Sequence, residues 1–350
     1  MSQLSYGAQD DAERTYDAVL YLSFGGPEGP SDVMPFLENV TRGRGVPRER
    51  LEKVAGHYYL FGGVSPINSQ NRAVVAALRA ELAAQGPDLP VYWGNRNWHP
   101  LLTDTMRTMR DDGVSRAIAF VTGAHSSYSG CRQYLEDISR ARAALGENAP
   151  KVDKLRVFFN HPGFIEPQVE KVNVALQAIP DSRRAATRLA FTAHSVPGVM
   201  AETSSYVQQL TETCRLVVER LAHEHDWSLV YQSRSGPPQP PWLEPDIVDH
   251  LEKLNSEGVS DVVVAPVGFV SDHLEVRFDL DVEAAEAAAA MRMNMVRAET
   301  VGAHPRYIGM IRDLIVERTS ASPARAALGE WGPSHDICGA SCCPAPARRG

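Results

Sequence analysis

Residues 191–197, FTAHSVP, end a short apolar run on a histidine and stop it with a proline, so His194 sits where a strand gives out. An imidazole in that position can take a proton near neutral pH or bind a metal through a free ring nitrogen. A second stretch, GFVSDHLEVRFDLDVEAAEAA at 268–288, leaves another apolar run and enters a helical pattern carrying Glu275, Asp279, Glu283 and Glu286 at i, i+4, i+8 and i+11. At about 100° per residue, those four carboxylates fall within an arc of about 80°. Each feature has a plainer reading when taken singly: His194 as a satisfied strand histidine, Asp272 with Glu275 as a capping box, the other acids as a solvated helix face. Taken together, one imidazole, one carboxylate and a ladder of carboxylates suit a divalent first-row metal held weakly enough to move on. The same groups accept protons near neutrality, so the set reads as a site that hands over a metal in exchange for protons.

The cysteines form a second constellation. Cys338, Cys342 and Cys343 make a C-x3-C-C cluster near the end of the chain, and one distant thiolate would complete the four that a [2Fe-2S] centre requires. Cys214 shares a helical stripe with Tyr206, Leu210, Val217 and Leu221 and is expected in the core. Cys131, beside Gly130 on a loop after a strand, is the better fourth ligand. A structural zinc on the same thiolates, with His335 as an added ligand, is the alternative.

Both constellations need a scaffold to position them. β-type runs at 17–25, 90–97, 116–124, 155–160, 188–196, 228–234 and 261–269 alternate with helical segments such as NRAVVAALRAELAAQ and SYVQQLTETCRLVVERLA. This alternation predicts an α/β fold of parallel sheets covered by helices on both faces. The second half restarts the pattern of the first, and FVTGAHSS (120–127) echoes FTAHS (191–195). In such sheets ligands gather beyond the carboxyl ends of the strands, which is where His194 falls. Residues 1–15 are polar and expected to be flexible, 16–160 and 161–320 to form two lobes, and 321–350 a Cys-rich tail.

With 35 basic and 43 acidic residues the chain carries a formal charge of -8, which disfavours nucleic acid as a partner. Its start lacks the pattern of a signal peptide, and no apolar run approaches a transmembrane segment, so a cytoplasmic protein is expected. Nothing in the sequence demands more than a monomer. SFGGPEGP follows the first strand with glycines but lacks the G-x-G-x-x-G spacing, and Pro27 and Pro30 interrupt it, which argues against a nucleotide enzyme.

LSFGGPE (22–28), FGGVSPIN (61–68), FTAHSVP, YQSRSGPPQPPWLEPD (231–246) and PVGFVSDHLEV (266–276), in this order and over nearly the whole chain, resemble the ferrochelatases. SYSGCRQY (127–134) and the Cys-rich tail resemble the actinobacterial branch, whose members insert ferrous iron into coproporphyrin III to give coproheme. The resemblance implies two Rossmann-like lobes, chelatase-like, with the active-site cleft between them. It implies Fe(II) and coproporphyrin III as substrates, with protoporphyrin IX as the alternative porphyrin. His194 and Glu275 match the family's catalytic and metal-binding pair, and Asp279 and Glu283 line the approach of iron. The match gives porphyrin contacts to Arg42, Tyr58, Ser65 and Tyr134, with Arg44 as a further candidate, and Phe24 contacts the ring. Phe24 stands where some relatives place a tyrosine and has no lone pair for an axial bond. Around these, Tyr59, Phe61 and Trp242 offer apolar grip on a macrocycle that must be distorted before metal can enter. Some ferrochelatases hold a [2Fe-2S] cluster with one internal and three C-terminal cysteines, which matches Cys131, Cys338, Cys342 and Cys343. The His–Glu pair, taken with no second histidine in the motif, favours iron over another metal. A two-lobed protein that binds haem or porphyrin without reacting is the rival from a different class.

Overall fold

A computed structural model describes residues 15–236, 241–321 and 323–345 of the chain. The flexible start expected over 1–15 falls outside these residues apart from Thr15, as do residues 237–240 of the YQSRSGPPQPPWLEPD string.

Among the described residues eight strands form two four-stranded sheets in which every pairing is parallel. The first sheet contains β1 (Ala18–Ser23), β2 (Val91–Asn95), β3 (Arg116–Val121) and β4 (Lys151–Lys154) in the order β2-β1-β3-β4. The second contains β5 (Arg188–His194), β6 (Trp227–Gln232), β7 (Asp261–Ala265) and β8 (Asn294–Arg297) in the order β6-β5-β7-β8. The two orders are the same, and in each sheet the first strand of the lobe lies inside. Ala18, Val19, Leu20, Tyr21 and Leu22 are all buried although their side chains alternate faces, as expected for a parallel strand covered on both sides.

Six of the seven β-type runs coincide with strands. The seventh, LRVFFN, does not: β4 is the polar segment Lys151–Lys154, and residues 155–160 leave the sheet while Val157, Phe158 and Phe159 turn into the core. The apolar run there reported burial, not pleating. β8 was not anticipated, because its four half-exposed residues carry no alternating pattern.

One apolar cluster joins the sheets, running from Tyr21 and Phe120 through Phe158, Phe164 and Tyr307 to Phe191 and Val263. The helix Pro305–Thr319, late in the chain, packs on the helix Ile67–Gln85, and the Arg312 guanidinium donates to the carbonyls of Gln85 and Gly86, both at 2.9 Å. His125, for which the sequence offered no role, is buried at the same junction and lies 3.0 Å from Thr213 Oγ1 on the helix Tyr206–Val218. Among the described residues no helix is long and apolar enough to cross a membrane.

The described residues of the tail form no helix or strand, yet polypeptide contacts as well as cysteines fix them. Leu328 N–H donates to the Asn160 carbonyl at 2.8 Å, the Asn160 amide donates to the carbonyls of Leu328 and Gly332, and Trp331 meets Phe159 edge-on at 6.0 Å.

Candidate functional site

β5 ends at His194, whose side chain is 34% exposed. Its Nδ1 lies 2.5 Å from the Ser195 carbonyl. A carbonyl only accepts, so Nδ1 carries a hydrogen, and the neutral tautomer with this contact has its lone pair on Nε2. That nitrogen faces Glu275 Oε2 at 3.6 Å. Tyr206 donates its hydroxyl to the His194 carbonyl at 3.0 Å and pins the strand end. Glu275 stands in the first turn of the short helix Leu274–Phe278, which follows β7. The expectation of a single histidine is corrected here: His273 precedes that helix and its Nδ1 lies 3.9 Å from the same Glu275 oxygen. Burial lowers the His273 pKa, with the Glu275 charge opposing, so this ring is biased towards neutrality.

The acidic stripe does not ride on a uniform α-helix. After Leu274–Phe278 the backbone takes a π-helical turn over Asp279–Ala284 and returns to α over Ala285–Ala290. Residues four apart drift about 40° on an α-helix, and a wider π turn removes that drift. Val276, Leu280, Ala284 and Ala288 therefore stay in one buried row, and Glu275, Asp279 and Glu283 stay in register along another. Asp279 is the deepest acid of the stripe. It accepts from the Ser233 hydroxyl and, at 3.2 Å, from the Gln232 amide. Burial pushes its pKa up to about 7, Glu275 and Glu283 push the same way, and the two hydrogen bonds oppose. The tip of Glu283 reaches solvent, and partial desolvation followed by the Asp246 and Glu286 charges raises its pKa, so the acids are electrostatically coupled from the cleft outward. Ser233, Gln232 and Asp246 were not singled out from the sequence, although all three lie in the quoted YQSRSGPPQPPWLEPD string.

The facing wall comes from the first half of the chain. Phe24, just past β1, is 38% exposed, packs edge-on to Phe36 and lies 5.9 Å from the Arg96 guanidinium. Tyr58 is buried against Phe36 and clusters with Leu274, and burial raises its phenol with the Glu275 charge adding. Beside it His57 stacks flat on Phe278 at 3.8 Å, and Arg277 covers Phe61. The helix Arg48–Leu60 therefore holds the short helix that carries Glu275.

Ser65 is buried, its N–H donates to the Pro27 carbonyl at 2.8 Å, and a Cβ added at Gly26 would lie 2.8 Å from its own Cβ. It braces the loop that follows β1. Tyr134 is buried under Arg96, whose guanidinium lies 4.8 Å from its ring and pairs with Asp137 Oδ2 at 2.8 Å. Arg96 thus links Phe24 to Tyr134; it was overlooked in the sequence, where it lies near the end of the run PVYWGNRN. Arg42 is exposed on the turn after the helix Pro30–Val40, and among the described residues no hydrogen bond or ion pair ties its side chain to the site.

The cysteines converge beyond the carboxyl end of β3, where the neighbouring Tyr128 packs with Val196 and Met200 just past β5. Cys131, in the π turn Tyr128–Arg132, packs with Cys338, Val157 and Phe159. Its thiol is within interaction reach of those of Cys338 and Cys343, and so is that of Cys342, whose Sγ lies 3.8 Å from Cys343 Sγ. Four sulfurs therefore close a ring. Mutual contact among the thiols draws Cys131 and Cys342 down and pushes Cys338 and Cys343 up. His335 Nε2 lies 3.8 Å from Cys342 Sγ, and the donor atoms of His335, Cys338 and Cys342 lie within 4.8 Å of one another. Cys214 stands outside this ring, fully buried, with its thiol pushed well up by burial.

Solved structures with this architecture include SirB from Bacillus subtilis with Fe3+, at a TM-score of 0.55 and 10% identity over 87% of this chain and 96% of that one. A second is the sirohydrochlorin chelatase SirB from Bacillus subtilis subspecies spizizenii with cobalt, at a TM-score of 0.51. At such identities the likeness concerns the fold alone, and that fold is of the chelatase type. The family model Ferrochelatase matches residues 16–319. The chain is also 54% identical to the coproporphyrin III ferrochelatase of Streptomyces griseus subsp. griseus, over 95% of this chain and 94% of that protein. It is 53% identical to that of Streptomyces coelicolor and 52% identical to the ferrochelatase of Rhodopirellula baltica, with 95% of each chain covered in both cases. The chain belongs to the ferrochelatase family.

Proposed function

We propose that this protein inserts ferrous iron into coproporphyrin III to form coproheme, releasing two protons, with protoporphyrin IX as a poorer substrate. The observation that carries this reading is the His194 Nε2 lone pair facing Glu275 at 3.6 Å at the end of β5. We read residues 16–160 and 161–320 as two lobes enclosing the porphyrin, in a protein acting as a cytoplasmic monomer.

A flat macrocycle keeps its nitrogen lone pairs in the ring plane and carries two inner N–H protons. Gripping its edges while distorting the centre exposes those lone pairs, at a cost offset by contacts elsewhere. Phe24, Tyr58 and the packed wall around them supply apolar contact; Ser65 and Tyr134 brace that wall, and Arg42 at the rim pairs with a propionate. Nε2 of His194 takes a pyrrole proton, and the resulting imidazolium is stabilised by Glu275. Asp279, poised near 7, then relays a proton outward or holds incoming iron weakly. Glu283 extends that path to solvent.

Cys131, Cys338, Cys342 and Cys343 fit a [2Fe-2S] group, because four sulfurs already meet and the fifth cysteine, Cys214, is buried in a different cluster. Such a group supplies one-electron redox chemistry when bound. The protein's own contribution is to close the tail onto the first lobe; zinc on these thiolates with His335 is the second reading, favoured by the donor atoms of His335, Cys338 and Cys342 lying within 4.8 Å of one another.

The test is anaerobic turnover with ferrous iron and either porphyrin, followed by loss of free-porphyrin fluorescence. Faster insertion into coproporphyrin III is expected. Insertion into neither would favour a porphyrin-binding protein.

A further inference from the structure

Two buried cations stand beside the cysteine ring without a carboxylate. Arg132 follows Cys131 directly and is 8% exposed; Lys154, at the end of β4, is 9% exposed. Among the described residues neither makes an ion pair with Asp or Glu. The Arg132 fork instead donates from Nε to the Cys342 carbonyl at 2.5 Å and from Nη2 to the Gly339 carbonyl at 2.6 Å, backbone positions on and beside the cysteines of the tail. Lys154 Nζ donates to the Leu155 carbonyl at 2.8 Å, at the start of the segment whose Val157 and Phe159 pack on Cys131 and Cys338. The Lys154 charge also acts on the Cys131 and Cys338 thiols.

Burying a guanidinium or an ammonium against carbonyls alone is costly, since such groups are ordinarily paired. A compensating negative charge is therefore expected beside them. Four thiolates around a Zn2+, or around an oxidised two-iron, two-sulfide group, carry a net double negative charge. Two cations beside the ring would balance it.

We propose that Arg132 and Lys154 are the counter-charges of the loaded cysteine ring, and that Arg132 is also the positioning residue that holds the tail cysteines against Cys131. This rests on the reading of the four cysteines as a metal-binding cage. The guanidinium fork sets the tail loop before any metal arrives, because its two acceptors are backbone carbonyls. In Arg132→Lys the charge would be kept, but an ammonium could not span both carbonyls in the same fixed geometry. Lys154 acts by charge, so Lys154→Arg should preserve its effect and an uncharged substitution should not.

The full-length protein, purified anaerobically and reconstituted with ferrous iron and sulfide, is compared with Lys154→Met, Lys154→Arg, Arg132→Met and Arg132→Lys. The readouts are visible circular dichroism, iron and sulfide content, midpoint potential and the rate of iron loss to a chelator; far-UV circular dichroism checks folding. Lys154→Met should shift the midpoint to a more negative value, since the reduced group carries more negative charge, and Lys154→Arg should leave it near the wild-type value. Arg132→Met should release iron roughly tenfold to a hundredfold faster, with Arg132→Lys intermediate. Full loading of the folded Met variants with unchanged potential and release would overturn the proposal. Should the wild-type protein take zinc in place of the iron group, faster zinc loss from both Met variants would support it and equal retention would overturn it. A wild-type protein that holds neither overturns the cage reading itself, and this inference with it.

Discussion

β1 and β5 occupy the same place in their sheets, each flanked by the next two strands of its own lobe, and they end differently. β1 runs out at Ser23 and Phe24, where the Ser23 hydroxyl accepts from the Asn71 amide at 2.9 Å and the Phe24 ring meets Phe36. β5 runs out at His194, with a directed lone pair and a carboxylate 3.6 Å away. The same backbone position thus offers an apolar surface in one lobe and a proton acceptor in the other. The sequence echo between FVTGAHSS and FTAHS points elsewhere: the first follows β3, whose counterpart by sheet order is β7, not β5. His125 in that echo is buried, with its pKa pushed down to about 3 by burial. Its Nε2–H donates to Thr213 Oγ1, whose own hydroxyl donates to the Phe159 carbonyl. Two histidines in similar strings therefore differ by exposure and partner, one a neutral brace between lobes and the other open to the cleft.

If chemistry is confined to the end of β5, Glu275→Gln should slow insertion about 10²- to 10³-fold in single-turnover kinetics while porphyrin affinity stays within a few fold. Asp279→Asn should slow insertion about tenfold at pH 8 and flatten the pH profile. The sign follows from its raised pKa: the carboxylate form grows as pH rises through about 7, so the wild-type rate should climb across that window. Stability runs the other way. Between its ordinary 3.8 and about 7 the folded state binds the extra proton, so wild-type stability falls as pH rises, and urea titrations at pH 5 and 8 should show that slope reduced in Asp279→Asn. Phe24→Ala should raise the porphyrin KM about tenfold with kcat changed less than about threefold. A collapse of kcat at constant KM would instead place chemistry at both strand ends and dissolve the contrast.

The parallel sheets were legible because buried strands read as unbroken apolar runs between helical periods, and His194 with Glu275 because their motifs flank two such runs. The four-thiol ring was legible from composition, since Cys214 declared itself by its helical stripe. What escaped had a physical reason in each case. The π turn leaves no periodic signature in six residues. Residues 155–160 are apolar because they enter a core, so the pattern named burial and not geometry. Arg96 and Arg132 act through contacts between segments distant in sequence, which no local spacing reveals. His273 was in plain view two residues before Glu275, and its part depends on a ring placement that only the fold supplies.

The central claim is that the lone pair of His194 Nε2 starts the exchange of protons for metal. It is tested most directly by anaerobic single-turnover insertion of ferrous iron into coproporphyrin III already bound to wild type and to His194→Ala, with binding measured separately by fluorescence. Near-normal porphyrin binding with insertion slowed by about 10³-fold or more is expected. Insertion by His194→Ala at close to the wild-type rate would contradict it.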